Sequence, residues 1–292
     1  MEDSLWAPYL YLEGIPGKNL RSDYIDAFNS VLQAPPNVVT GIKDIVNRLH
    51  TTSLLMDDIE DGAVLRRGRP VAHSIFGVPR TMNTANFAML TTLQAACTKF
   101  PEVQSIFYDE LLTLHRGQGN ELYWRDTHTC PTENEYKQMV LAKTGGLYRL
   151  AVRVLQHYAP AKPDLVPLAN CLALLFQIQD DYLNLISSMY EENKGFAEDI
   201  TEGKFSFPVI HSLGSGSRRA VELKNILQLH TQDVFLKKHA LNILETTGSL
   251  AHTQAVIAEY VDEAHQLISG AGLADPSALY ELVQRIVQID RK

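Results

Sequence analysis

Apolar residues return every three or four positions along most of the chain, which is the spacing of a helix with one buried face. In residues 40–60 this spacing is kept by Ile42, Ile45, Val46, Leu49 and Met56. We predict a helix there and further helices wherever the pattern recurs. The other segments are residues 23–32, 82–96, 102–124, 133–155, 164–186, 221–229, 234–244, 249–268 and 277–289.

Prolines and glycines separate these segments at the points where helices should end. Breaks fall at Ala34-Pro35-Pro36, at residues 66–70, at Cys130-Pro131, at 159–163 and at 213–217. No stretch of useful length alternates apolar and polar residues as a strand does, which disfavours βαβ folds and their phosphate-binding loops. We therefore predict an all-α fold, with residues 1–292 forming a single domain.

The net charge of the chain and the length of its apolar runs argue against several classes of protein. The formal charge of -8 and the lack of any long run of like charges argue against a nucleic-acid surface. No apolar run reaches the roughly 18 residues that span a bilayer. Met1 is followed by Glu2 and Asp3 rather than by the basic start of a signal peptide. We expect a cytoplasmic protein without a transmembrane segment.

The predicted helix 40–60 becomes acidic within one turn. Its apolar residues lead directly into Asp57-Asp58-Ile59-Glu60-Asp61. Asp57 and Asp61 stand at i and i+4, which places both carboxylates on one face of the helix, where they repel each other unless a cation is present. Mg²⁺ prefers such hard oxygen ligands, completed by water and phosphate oxygens. This cluster therefore indicates a magnesium site.

A second acidic cluster repeats the pattern further along the chain. The apolar stretch 172–179 leads into Asp180-Asp181-Tyr182-Leu183-Asn184, so that Asp180 and Asn184 are again one helical turn apart. One such cluster alone is more often the solvated end of a helix. Two of them, each at the end of a strongly apolar helix, are better explained by metal binding, because burying unpaired carboxylates is costly.

Basic residues accompany both clusters in polar or glycine-containing settings. Arg66 and Arg67 follow the first cluster within Leu65-Arg66-Arg67-Gly68, and arginine binds phosphate through its planar fork of donors. The other basic residues of this kind are Lys18, Arg21, Lys143, Lys194 and Lys204. Each of them alone is more often a surface charge. Together with the two carboxylate clusters they predict a diphosphate site.

Taken in order, these motifs resemble the trans-isoprenyl diphosphate synthases, and most closely the eukaryotic, especially fungal, geranylgeranyl diphosphate synthases. The resemblance covers nearly the whole chain. It is carried by residues 16–18 with Arg21, 50–61 running into 65–68, 114–119, 143–146, 176–184, and 192–194 with 205–208. It implies an isoprenoid synthase bundle, the class I terpenoid synthase fold, with the two aspartate clusters facing each other across the mouth of a central cavity.

The resemblance also implies the reaction and its partners. An allylic diphosphate, farnesyl diphosphate or shorter, would be condensed with isopentenyl diphosphate by ionisation, condensation and elimination. The reaction would depend on Mg²⁺, with three ions per site. A homodimer or a higher homo-oligomer is expected, and a fused terpene cyclase domain is a further alternative.

The resemblance assigns a role to each candidate site residue. The metal ligands would be Asp57, Asp61 and Asp180. They would be supported by Asp58, Asp181 and Asn184, and Asn184 would also contact the substrate. The allylic diphosphate would be held by Arg66, Lys143, Lys194 and Lys204. Isopentenyl diphosphate would be held by Lys18, Arg21, His50 and Arg67. The developing carbocation would be faced by Thr144 and Gln177.

Product length in this family is set by the side chain that the growing tail meets on the cavity wall. Thr52 and Ser53, just upstream of the first cluster, are small and would let the tail pass. Met89 and Leu90 stand where related enzymes often carry aromatic residues; alternatively both belong to the core and His115 alone closes the tunnel. We expect the C20 product geranylgeranyl diphosphate, with a C25 or C30 product as the alternative.

Two other functions would use a similar fold. A class I terpene cyclase would normally carry an Asn/Asp, Ser/Thr and Glu triad as its second metal site, whereas this chain has Asp180, Asp181 and Asn184. Degenerate aspartate motifs would indicate a non-catalytic regulatory subunit, but both motifs are intact in this chain. Asn184 itself departs from many farnesyl diphosphate synthases, which carry a third aspartate, although geranylgeranyl enzymes commonly have asparagine there.

Overall fold

The computed structural model describes residues 2–17, 20–187 and 195–288, and helices form most of this part. They are α1 (Glu2–Glu13), α2 (Leu20–Leu32), α3 (Pro36–Glu60), α4 (Ala72–Phe76), α5 (Val78–Lys99), α6 (Gln104–Asp126), α7 (Glu133–Lys143), α8 (Gly145–Tyr158), α9 (Val166–Ile186), α10 (Glu198–Glu202), α11 (Phe207–Gly214), α12 (Arg219–Gln228), α13 (Val234–Thr246), α14 (Ser249–Gly270) and α15 (Ser277–Val287). The prediction of an all-α fold is confirmed. Among the described helices, none is both long enough and apolar enough to cross a bilayer.

Local sequence explains where several helices begin. α3 begins at Pro36 and α9 carries Pro167 in its first turn, where the missing N–H costs no helical hydrogen bond. α7 follows a capping box: Thr132 Oγ1 accepts from the Glu135 amide at 3.2 Å, and the Glu135 carboxylate accepts from the Thr132 amide at 2.8 Å. α13 follows Asp233, whose carboxylate accepts from two amides of the first turn.

The structure corrects the predicted helix 133–155, which is two helices. α7 and α8 meet at Thr144, just before Gly145 and Gly146. α6 lies so close to this junction that a Cβ at Gly117 would lie 2.4 Å from the Lys143 amide nitrogen. Apolar spacing also misses α1, α4, α10 and α11, which are short or, in the case of α1, contain a proline.

A small antiparallel hairpin, also absent from the prediction, connects α3 to α4. Its strands are β1 (Leu65–Arg66) and β2 (Arg69–Pro70). The turn between them holds Arg67 at φ 54° and Gly68 at φ 72°, the left-handed geometry of a two-residue hairpin. The hairpin folds back over α3, so that Arg66 lies beside the acidic end of that helix.

The main hydrophobic core surrounds α9, in which Leu172, Ala173, Leu175 and Ile178 are fully buried. This helix is apolar around its whole circumference rather than along one stripe, as expected for a central helix. A second, smaller cluster contains Tyr9, Leu12, Ile15, Leu55, Ala72, Ala85 and Ala88. α3 contributes to both clusters, which fixes its acidic end where the cavity opens.

Candidate active site

A cavity of about 1030 Å³ opens between the acidic ends of α3 and α9. Its wall also includes the segment before α2, the hairpin, α6, α8 and α10. Most of the predicted site residues line it: Arg21, His50, Ser53, Asp57, Asp61, Arg66, Arg67, His115, Lys143, Thr144, Gln177, Asp180 and Lys204. Lys18 and Lys194, both predicted to hold a diphosphate, lie outside the described residues.

The first aspartate cluster divides between the cavity and the protein interior. Asp57 and Asp61 line the cavity from one face of α3. Asp58 lies between them and is only 1% exposed. Arg66 donates to the Asp58 carboxylate from Nε at 2.7 Å and also from Nη2. Burial raises the pKa of Asp58, and Arg66 opposes that effect. Asp58 therefore anchors the hairpin arginine instead of facing the cavity.

Basic side chains contact both cavity-facing carboxylates of this cluster. Asp57 is 3.3 Å from Arg66 Nη2 and 3.3 Å from Lys143 Nζ. Arg125 reaches from α6 to Asp61, with 2.9 Å between Nη1 and Oδ1, and its Nη2 donates to the last carbonyl of α3 at 2.8 Å. Burial and then the carboxylate of Asp57 raise the pKa of Asp61 well above its ordinary value. An added cation would relieve this repulsion.

In the second cluster Asp180 lines the cavity, whereas Asp181 is 0% exposed. The Asp181 carboxylate accepts hydrogen bonds from four donors. They are Tyr136 Oη at 2.6 Å, the Phe207 amide at 2.9 Å, Lys204 Nζ at 2.9 Å and Gln177 Nε2 at 3.0 Å. A carboxylate with so many donors is held rigidly. Asp181 thus joins α7, α9 and α11 around the cavity rather than facing it.

Asn184, the last residue of the second motif, does not line the cavity. It is buried, and its Oδ1 accepts a hydrogen bond from the Asp199 amide at 3.1 Å. That amide lies in the first turn of α10, where N–H groups have no partner within the helix. Asn184 therefore holds α10, which contributes Glu198 and Glu202 to the cavity wall. This contact takes the place of the substrate contact predicted from sequence.

Two half-buried lysines stand beside the aspartates. Lys143, the last residue of α7, contacts Glu121 as well as Asp57. Burial lowers the pKa of the Lys143 ammonium, but the carboxylates of Glu121 and Asp57 outweigh burial and leave the pKa above its ordinary value. Burial also lowers the pKa of Lys204, but the carboxylate of Asp181, 2.9 Å away, outweighs burial and leaves the pKa well above its ordinary value. Both lysines are therefore charged at neutral pH and paired with carboxylates.

A second group of cavity-lining basic side chains, called the basic end here, has no described carboxylate within ion-pairing distance: Arg21, His50 and Arg67. The charges of Arg21 and Arg67 both act on His50. Arg67 Nη1 donates to the Ile15 carbonyl at 2.5 Å, and a Cβ at Gly17 would lie 2.8 Å from Arg67 Nη2. Burial, followed by the charges of Arg21 and Arg67, lowers the pKa of His50 well below its ordinary value, so its imidazole is neutral near pH 7. This cluster is suited to bind an anion.

A chain of hydrogen bonds orients two polar side chains between these ends. Thr144 Oγ1 donates to Gln177 Oε1 at 2.8 Å, and Gln177 Nε2 donates to Asp181 at 3.0 Å. Because Asp181 holds the amide nitrogen, the Gln177 carbonyl oxygen points toward Thr144. Both residues line the cavity. Their oxygens place partial negative charge where a developing positive charge would be stabilised.

α6 contributes cavity residues that were not among the predicted ones. Gln118, Glu121 and Arg125 follow one another at three- and four-residue steps and line the cavity beside α3. Gln118 Nε2 donates to Glu60 Oε2 at 2.7 Å, which ties the two helices together. The available signal was the polar i, i+3, i+7 spacing, which places these side chains on one helical face.

The residues predicted to set product length fall into two groups. Ser53 and His115 line the cavity. Thr52 is fully buried, Met89 packs against the main core, and Leu90 is 65% exposed. The structure therefore does not bring Met89 and Leu90 to the cavity wall. The buried face of α5 consists of alanines and threonines.

The donor set of the acidic clusters fits Mg²⁺. Asp57, Asp61 and Asp180 supply hard carboxylate oxygens from both sides of the cavity. Within residues 2–17, 20–187 and 195–288, no three His, Cys, Asp or Glu side chains are grouped closely enough to hold a metal by themselves. Mg²⁺ is usually bound by one or two carboxylates together with water and substrate phosphates rather than by an all-protein cage. The carboxylates thus suit a metal that arrives with a diphosphate.

Comparison with known proteins agrees with this chemistry. The family model described as polyprenyl synthetase matches residues 2–244. A geranylgeranyl pyrophosphate synthase from Metarhizium anisopliae is 48% identical over 289 residues, which cover 99% of this chain and 87% of the relative. Enzymes with the same description from Aspergillus fumigatus and Penicillium canescens are 49% and 50% identical, covering 92% and 93% of this chain and 75% and 81% of the relatives.

Proposed function

The chain belongs to the polyprenyl synthetase family, and from that premise we propose that this prenyltransferase condenses an allylic diphosphate with isopentenyl diphosphate to form geranylgeranyl diphosphate. The observation that carries the proposal is the division of one cavity into two ends of different charge. The acidic end is formed by Asp57, Asp61 and Asp180. The basic end is formed by Arg21, His50 and Arg67. We expect the reaction to take place in the cytoplasm.

Family membership implies magnesium-dependent catalysis, and we propose three Mg²⁺ ions per site. Asp57, Asp61 and Asp180 would hold them, together with water and phosphate oxygens. When bound, Mg²⁺ stabilises the negative charge that develops on a leaving diphosphate. The protein itself supplies the carboxylate spacing, since Asp57 and Asp61 share one face of α3.

The allylic diphosphate is assigned to the acidic end. Arg66, Lys143 and Lys204 lie beside the aspartates there, and phosphate oxygens in the same space would accept charge-assisted hydrogen bonds from them. These contacts would orient the diphosphate as a leaving group. Such orientation lowers the barrier because the reacting atoms are already aligned.

Isopentenyl diphosphate is assigned to the basic end. Arg21 and Arg67 supply positive charge there, and His50 supplies a neutral ring. The bond would form between the two ends, where Thr144 and Gln177 direct oxygens toward the allylic carbons. The apolar side chains of the wall, among them Leu114, Leu147 and Phe176, would keep water away from the carbocation.

The C20 product is supported by the similarity to geranylgeranyl pyrophosphate synthases and by a small residue, Ser53, in the cavity wall. His115 lines the same wall and would limit further growth. A C25 or C30 product is the alternative if the tail passes His115.

We further propose that the protein is a homodimer joined through α5 and α6. The exposed large apolar residues of these helices are Val78, Met82, Leu90, Tyr108, Leu112 and Tyr123. Such a concentration of exposed apolar side chains on adjacent helices is typical of an interface. Light scattering coupled to size-exclusion chromatography should give twice the chain mass, and Leu90→Glu should shift it to a single chain.

Incubation with farnesyl diphosphate, isopentenyl diphosphate and Mg²⁺, followed by dephosphorylation and mass spectrometry, tests the proposal. Geranylgeraniol is the expected product. Reactions with a chelator, or with the Asp57→Ala variant, should return only farnesol. A cyclic hydrocarbon formed from the allylic substrate alone would contradict the proposal and favour a cyclase. A C25 or C30 alcohol would correct the product length and keep the reaction.

A further inference from the structure

An ionic cluster around the buried side chain of Glu110 lies outside the cavity, against the junction of α7 and α8. It consists of Glu110 on α6 with Arg149 and Arg153 on α8. Glu110 is 2.7 Å from Arg149 Nη2 through one oxygen and 2.7 Å from Arg153 Nη1 through the other. None of these side chains lines the cavity, so the reaction gives them no role of their own.

Arg149 makes a backbone contact in addition to this ion pair. Its Nη1 donates to the carbonyl of Leu141, in the last turn of α7, and to Asn170 Oδ1 at 3.2 Å. In an unbroken helix the Leu141 carbonyl would accept from the Gly145 amide. The helices are interrupted at this point. The guanidinium therefore satisfies one of the carbonyls at the end of α7.

The glycines that follow the junction leave space for this arrangement. A Cβ at Gly145 would lie 2.6 Å from Arg149 Nη1, and a Cβ at Gly146 would lie 3.2 Å from the Glu110 carbonyl oxygen. Arg149 thus occupies the space that a side chain at position 145 would fill. The Arg149 guanidinium therefore packs directly against the junction.

The last residue of α7 and the residue at the junction both reach the cavity. Lys143 Nζ is 3.3 Å from Asp57 Oδ1, and Thr144 Oγ1 donates to Gln177 Oε1 at 2.8 Å. Both contacts depend on the direction in which the backbone leaves α7. A small rotation at the junction would therefore displace both polar groups from the reacting atoms.

We propose that Arg149 is a positioning residue. Held by Glu110, it fixes the Leu141 carbonyl and so sets the direction in which Lys143 and Thr144 enter the cavity. Its effect on turnover rests on the proposed function, whereas its effect on the junction rests on the contacts alone. The two are therefore tested by separate measurements.

The test compares Arg149→Met with Arg153→Met. Both variants remove one arginine from Glu110 and leave the other, so Glu110 keeps a partner in each. Arg149→Met alone removes the contact with the Leu141 carbonyl. We expect it to lower kcat by on the order of ten- to a hundredfold and to raise the KM for the allylic diphosphate, which Lys143 is proposed to hold, more than the KM for isopentenyl diphosphate. Arg153→Met should turn over at the wild-type rate. Equal kcat values in the two variants would overturn the proposal.

Arg149→Lys keeps a positive charge beside Glu110 but lacks the planar fork that bonds several acceptors together. Arg149→Lys replaces Arg149→Met in the comparison if Arg149→Met does not fold. Most of the loss in kcat should remain. Full activity of Arg149→Lys would show that charge alone suffices and that the carbonyl contact is unnecessary.

Coupling with Thr144→Ala separates positioning from general destabilisation. If Arg149 acts partly through Thr144, the Arg149→Lys effect on kcat should be smaller in the Thr144→Ala background than in the wild type. If the effects of Arg149→Lys and Thr144→Ala on kcat were strictly additive, Arg149 would not act through Thr144.

Hydrogen exchange of the peptide covering residues 140–148 tests the junction without any reaction. Exchange should be faster in Arg149→Met, or in Arg149→Lys if that variant is used, than in Arg153→Met, when global stabilities are matched with denaturant. Equal protection would overturn the proposal. A wild-type protein that formed no prenyl diphosphate would refute the proposed function, and this exchange measurement would still decide the role of Arg149.

Discussion

The two ends of the cavity are arranged oppositely in charge although each is assigned a diphosphate. At the acidic end the cations are already paired with carboxylates, as Arg66–Asp58, Lys143–Glu121 and Lys204–Asp181. At the basic end no described carboxylate pairs with the cavity-lining Arg21, His50 and Arg67. The difference separates a site that needs additional positive charge from one that already has it.

This contrast supports the proposal that the metal binds at one end only. A diphosphate entering the acidic end meets the carboxylates of Asp57 and Asp61 as well as the cations, so Mg²⁺ is needed to reverse the local sign of charge. A diphosphate entering the basic end meets Arg21 and Arg67 directly. On the proposed assignment, the same group would be bound through a metal at one end and through protein cations at the other.

The largest effect is expected from breaking the acidic end with Asp57→Ala. Turnover should fall on the order of 10³-fold, equivalent to about 4 kcal/mol of lost transition-state stabilisation. Asp44→Ala is the matched control, because Asp44 lies on the same helix in an exposed pair with Arg48. Steady-state kinetics over a range of Mg²⁺ concentrations is the measurement. Near-normal turnover of Asp57→Ala would remove this residue from the metal site.

Breaking the basic end with Arg21→Ala should raise the KM for isopentenyl diphosphate by on the order of ten- to a hundredfold, since one charge-assisted contact is worth about 2 kcal/mol. The KM for farnesyl diphosphate should change far less. Arg48→Ala, at an exposed position of α3, should change neither. A similar rise in both constants for Arg21→Ala would mean that the two ends are misassigned.

Product length should respond to the wall between the ends rather than to either end. Ser53→Phe places an aromatic ring in the cavity and should shorten the products formed from dimethylallyl diphosphate. Leu90→Phe should leave them unchanged, because Leu90 does not line the cavity. Chain lengths are read by mass spectrometry of the dephosphorylated products. A shorter product from Leu90→Phe would show that the growing tail does reach α5.

The smallest expected effect is a pH dependence at the basic end. Burial, then Arg21, Arg67 and Arg66, lowers the pKa of His50 well below 6.5. The unfolded chain therefore takes up a proton near pH 6.5 that the folded chain takes up only at lower pH. Stability is lost as the pH falls below about 6.5, by at most about 1.4 kcal/mol per unit. His50→Asn should reduce this loss in denaturant titrations, whereas the exposed His157→Asn should not.

Helical geometry accounts for much of what the sequence predicted about the acidic clusters. Spacing alone placed Asp57 and Asp61 on one face, and the structure has both lining the cavity. The same geometry means that Asp58, one residue on, points elsewhere. The role of Asp181 could not be predicted from helical spacing, because its partners Tyr136 and Phe207 lie 45 and 26 residues away along the chain. Long-range partners of that kind have no signature in a single sequence.

Two differences from the prediction have packing causes. The apolar spacing continues through residues 133–155, so it gives no sign of the break at Thr144, which forms where α6 approaches at Gly117 and Arg149 contacts the end of α7. Leu90 is apolar but exposed. An apolar residue on the outer face of a helix has the same sequence pattern as one that lines a cavity, and only the packing of α5 on α3 separates them.

Calorimetric titration with and without Mg²⁺ tests the division of the cavity most directly. Isopentenyl diphosphate and an unreactive thiolodiphosphate analogue of farnesyl diphosphate would each be titrated into the wild-type protein, once with Mg²⁺ and once with a chelator. Isopentenyl diphosphate should bind with similar affinity in both conditions, and the farnesyl analogue should bind only with Mg²⁺. Loss of isopentenyl diphosphate binding in the chelator, or binding of the farnesyl analogue there, would contradict the assignment of the two ends.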